Sequence, residues 1–91
     1  MRCVYVCSPI RFSIPHNTET LKKYGEYVSK KHCIPIFPYK TENSSSLIFV
    51  SDELWVFGKT VTEEMKNEIR IAENLNISVR YIDGSEVDKI V

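Results

Sequence analysis

With 91 residues, 43% of them hydrophobic, the chain has material for one domain and one modest core, near the lower end of what folds comfortably alone. Twelve basic residues balance twelve acidic ones without any basic run, which excludes a nucleic-acid polymer as partner and leaves room for a small anionic ligand. No apolar run approaches the roughly 18 residues of a membrane span, and residues 1–7 are too short for a signal-peptide core. Three cysteines without paired spacing fit a reducing compartment, so a cytoplasmic chain with no membrane segment and no disulfides is expected.

Residues 2–7 (RCVYVC) form a short, largely apolar run that stops at Ser8 and Pro9, the pattern of a central parallel strand. Residues 8–16 (SPIRFSIPH) read as a loop carrying two prolines, long enough to hold something at the strand's C-terminal end. Asn17 or Thr18 caps the next helix, whose apolar positions Leu21, Tyr24 and Val28 follow the helical period to about Lys31. Gly25 within it costs helix stability and allows close packing on the sheet. Residues 34–37 (IPIF) are a second strand, placed at an edge by Pro35, which cannot donate to a ladder.

Residues 39–46 (YKTENSSS) are polar and turn-like. The four apolar residues 47–50 (LIFV) fit a strand or a buried helical turn; the helical turn is preferred, because a strand there would leave no crossover before the next parallel strand. After residues 53–57 (ELWVF) and a helix, residues 77–82 (ISVRYI) give a fourth strand closed by Asp83 and Gly84, and Ser85 is available to cap a final helical turn. The alternation implies a parallel sheet with helices on both faces, and ligands in such sheets bind beyond the C-terminal strand ends. That rim gathers residues 7–11, 38–39 and 57–60 with the start of the third helix.

Residues 51–72 (SDELWVFGKTVTEEMKNEIRIA) organise the rest. Gly58 ends the strand, and Thr60 with Glu63 fits a capping box. Met65, Ile69, Ala72 and Leu75 then mark the buried stripe, and Glu68 lies inside it. A carboxylate so placed loses solvation, faces the like charge of Glu64 one turn away, and has no base at i±3 or i±4. That suits a general acid/base or a carboxylate nucleophile. The plainer alternative is a flank residue whose stem packs while its head reaches solvent or a distant cation.

Other motifs point less far. Cys3 and Cys7 lack a second cluster for zinc, the three glycines are isolated, and no metal or cofactor is expected. Cys7 has no base beside it in the sequence and reads as a buried structural thiol. Arg11 fits a phosphate contact or a surface salt bridge equally well. His16 and His32 read as surface or cap residues, and Trp55 as core whose indole N–H needs a partner.

The opening VYVCSPIRF, the IPIFPY strand end and above all SDELWVFGKTVTEEMKNEIRIAENLNISVRYI resemble the nucleoside 2-deoxyribosyltransferase-like superfamily, over nearly the whole chain. The resemblance implies a small flavodoxin-like or Rossmann-like three-layer α/β fold, with a four-stranded parallel sheet in the order 2-1-3-4. It further implies cleavage or exchange of the N-glycosidic bond of a small nucleoside or nucleotide. Glu68 matches the helix glutamate that attacks the sugar C1′, and Tyr5 the tyrosine that orients it. Ser8, Pro9 and Arg11 match the loop lining the nucleotide site, which Gly58 and Glu64 complete. The chain departs from the pattern where the enzymes carry an acid for the sugar hydroxyl, since Ser44 to Ser46 stand there, and Ser8 replaces a common glycine. A non-catalytic binding module of the same fold is therefore the second expectation. A homo-oligomer is expected too, because a small sheet leaves residues 47–50, Tyr24 and Tyr27 poorly covered.

Overall fold

A computed structural model describes residues 1–9, 18–38 and 44–90. The expectations for Arg11, His16, Asn17 and residues 39–43 lie outside them. Strand β1 (Arg2–Cys7) is followed by α1 (Thr18–Lys30), β2 (Cys33–Ile36), α2 (Ser44–Phe49), β3 (Glu53–Val56), α3 (Glu63–Asn74), β4 (Ser78–Tyr81) and α4 (Gly84–Ile90). The strands form a four-stranded, all-parallel sheet in the order β2-β1-β3-β4, as expected. Pro35 falls on the edge strand, where its missing N–H costs no ladder bond on the solvent side. No helix among the described residues is long and apolar enough to cross a membrane. The three cysteines are free thiols.

Side-chain alternation along the strands builds two cores. Val4, Val6, Trp55 and Phe57 face α1 and α4, where Tyr27, Val28 and Val87 meet them. Tyr5, Cys7, Leu54 and Val56 face α2 and α3, against Ile48, Met65, Ile69 and Ala72. α2 closes its core with Ile48 and the half-buried Leu47, leaving Phe49 70% and Val50 62% exposed, so part of the uncovered surface expected there is real. Tyr27 departs from that expectation. It is buried against Trp55 and Phe57, because α4 is a two-turn helix that covers this face rather than a loose final turn.

The helix ends correct several sequence expectations. Thr62, not Thr60, caps α3: its hydroxyl accepts from the Met65 N–H at 3.2 Å, and the Met65 sulfur accepts the Thr62 N–H at 3.4 Å. Starting two residues later puts Glu63 and Glu64 in the first turn, where acids favour the positive helix end. Leu75 ends the helix as its C-cap and is 39% exposed, so it leaves the buried stripe once the helical period stops. Asn76 follows with φ 59°, and the Asn76 and Ile77 N–H groups bond back to Glu73 and Ala72 carbonyls in a Schellman closure. His32 serves the same purpose after α1, with φ 63° and its N–H on the Ser29 carbonyl. Asp83 caps α4 in place of Ser85, accepting from the Ser85 N–H at 3.0 Å. Ser44 to Ser46 form the first turn of α2 rather than extending the polar turn.

Two glycines are fixed by close approach. A Cβ at Gly25 would stand 2.8 Å from the Phe37 ring, so this helix position packs onto the end of β2 as anticipated. Gly58, just beyond β3, has φ +91°, and a Cβ there would meet the Pro9 ring at 2.9 Å. Gly58→Ala should therefore lower stability by about 1–3 kcal/mol. Gly84→Ala, where nothing lies within 4 Å, should be neutral or mildly stabilising, and urea midpoints of the two variants check the contrast.

Candidate functional site

The side chain that organises the site is Glu68. In α3 the residues Met65, Glu68, Ile69 and Ala72 occupy positions i, i+3, i+4 and i+7, so one acid completes a stripe that otherwise consists of apolar groups. Glu68 is 2% exposed. Below it, Tyr5 and Cys7 point from the same face of β1, two residues apart. The Tyr5 hydroxyl donates to Glu68 Oε2 at 2.5 Å, and the Cys7 thiol lies 3.4 Å from Glu68 Oε1 as a donor. A short O–H···O bond to a carboxyl group is among the stronger hydrogen bonds a protein makes, and here it locks the acid's orientation at the C-terminal half of the central strand.

The sequence expectation that paired Tyr5 with Glu68 thus describes a real contact, but its surroundings differ in two respects. Cys7, read as a buried structural thiol with no base beside it, is buried as expected but shares the carboxyl group with Tyr5; its position two residues after Tyr5 is the signal for a common face. Glu64, expected as a like charge beside Glu68, is exposed in the first turn of α3 and stands outside the buried group. Ser8 is buried at the end of β1, and Pro9, half buried, packs its ring toward Gly58. The structure therefore brings together Tyr5, Cys7 and Glu68, and separately Pro9 with Gly58. The latter borders a cavity of about 290 Å³ between α1 and α4, at the same end of the sheet but on the face opposite Glu68, lined also by Lys23, Lys59 and the stacked rings of Tyr24 and Phe57.

A second acid, Glu53, sits where β3 begins. Its carboxylate accepts the Trp55 indole N–H at 2.9 Å and pairs with Arg2, giving that indole the partner its burial requires. The Trp55 hydrogen bond, aided by Arg2, holds the Glu53 carboxyl below the usual glutamate range, with burial opposing. A depressed folded-state value means stabilisation that is fully present above the unfolded value and is lost as pH falls through the folded one. Urea unfolding from neutral to acidic pH should show the advantage of wild type over Glu53→Gln shrinking to nothing below the glutamate range. A constant difference at all pH values would remove the carboxylate from this role.

No group of three His, Cys, Asp or Glu side chains among the described residues is placed to hold a metal ion. A domain of unknown function (DUF7768) matches residues 41–82, the span from α2 through β4 that carries Glu68, Glu53 and Gly58. No curated protein and no solved structure matches the chain.

Proposed function

We propose that this domain cleaves or exchanges the N-glycosidic bond of a small nucleoside or nucleotide, with Glu68 as nucleophile. The observation that carries the reading is the 2.5 Å bond from Tyr5 to Glu68 Oε2, which aims a carboxyl group on a helix at the strand ends where α/β sheets take ligands. One Glu68 oxygen bonds to C1′ as the C1′–N bond breaks, and the electron pair leaves with the base, which takes a proton from water. Water then attacks C1′ and frees the carboxylate; a second base in place of water gives transfer instead. Tyr5 positions the nucleophile from β1, on the sheet face that α2 and α3 cover.

A different observation favours the second reading, a non-catalytic binding module. Glu68 is 2% exposed with Tyr5 on one oxygen and Cys7 on the other, as a buried polar link that fixes α3 on the sheet would be. The separating experiment is a panel of deoxynucleosides and their 5′-monophosphates assayed for free base. Release by wild type supports the enzyme; silence across the whole panel leaves the module.

A further inference from the structure

At the end of the sheet opposite the rim, where β1, β2 and β3 begin, a cavity of about 360 Å³ opens on the α1/α4 side. Its aromatic wall is Trp55 and Tyr27, packed edge to face with ring centroids 5.9 Å apart. Two cations stand over these rings: the Arg80 guanidinium 5.2 Å from the Trp55 centroid and the Lys31 ammonium 5.4 Å from that of Tyr27. Each ring holds its cation at the cavity wall by the attraction of its electron-rich face.

Two acids stand near these rings. Glu53 is engaged by Arg2 and by the Trp55 indole, and Glu86 of α4 accepts the Tyr27 hydroxyl at 2.8 Å. Lys31 and Arg80 form no ion pair among the described residues. Glu53 lines the same cavity and stands in the field of Arg80, so three cations, Arg2, Lys31 and Arg80, face one carboxylate there.

We propose that this cavity binds a phosphate group, as inorganic phosphate or the phosphoryl end of a small phosphomonoester. Three cations against one carboxylate leave the lining net positive, which suits a dianion; the Arg80 fork fits two phosphate oxygens while Lys31 supplies a further point charge. The volume is at the lower end for small-molecule sites, and the chain has no basic run to carry a longer polyanion past it.

Trp55, the chain's single tryptophan, reports on the site directly. Inorganic phosphate titrated into the whole chain should change its emission saturably, and sodium chloride at matched ionic strength should not. Lys31→Gln, which leaves the Trp55 surroundings in place, should raise the half-saturating phosphate concentration by about tenfold or more. Arg80→Gln should do the same when read by phosphorus NMR line broadening, since this change alters the tryptophan's own environment. A response reproduced by chloride, or variants that saturate at the wild-type concentration, overturns the site. Circular dichroism verifies the fold of each variant, and Lys31→Gln decides alone if Arg80→Gln does not fold. None of these readouts depends on Glu68 or on base release.

Discussion

Glu68→Gln is expected to abolish base release, by about three orders of magnitude or more, while the fold and the affinity for nucleoside stay in place. The amide keeps the shape of the side chain and still offers Tyr5 an acceptor oxygen, but it cannot bond to C1′ as a carboxylate does. Stability should move by no more than about 1 kcal/mol, because the bond from Tyr5 survives and the contact with Cys7 is a weak one. Tyr5→Phe separates positioning from chemistry. It leaves the nucleophile but removes the donor that aims it, so kcat should fall on the order of 100-fold with KM little changed, the cost of a reacting group misplaced by about 1 Å. Equal base release by wild type and Glu68→Gln would remove Glu68 from the reaction whatever the rest of the chain does.

The contact behind that prediction was legible because two periods meet in it. Tyr5 sits on an odd strand position and Glu68 within a helical stripe, and a right-handed crossover lays that helix over the neighbouring strand. Glu53 and Trp55, also two apart on one strand face, could have been paired by the same reasoning. The cap of α3 was harder, since two threonines stand two residues apart and the true partner is the sulfur of Met65, which lies outside the usual Ser/Thr…Glu/Gln pattern. Tyr27 was misplaced because its cover comes from α4, whose length short-range signals did not define. The cavity over Trp55 was out of reach of any local pattern: Arg2, Lys31 and Arg80 come from a strand start, a helix end and the far strand, and meet only through the sheet register.

Phe57→Ala should be the most damaging single change to the fold, costing about 3–5 kcal/mol. A domain of this length has roughly 5–14 kcal/mol in total, at about 0.05–0.15 kcal/mol per residue. Phe57 is fully buried immediately after β3, stacks on Tyr24 with ring centroids 4.6 Å apart and meets Tyr27 edge-on at 6.0 Å. Truncation removes both ring contacts along with the buried area, and α1 and α4 cannot close on the void without leaving the sheet. Thermal melts should therefore fall on the order of 15 °C or more. Phe49→Ala supplies the contrast, because that ring is 70% exposed at the end of α2 and its loss should cost no more than about 0.5 kcal/mol. Comparable losses at the two phenylalanines would mean that the exposed ring of Phe49 is buried in solution by a second molecule, and that the stability of this domain is shared with its partner.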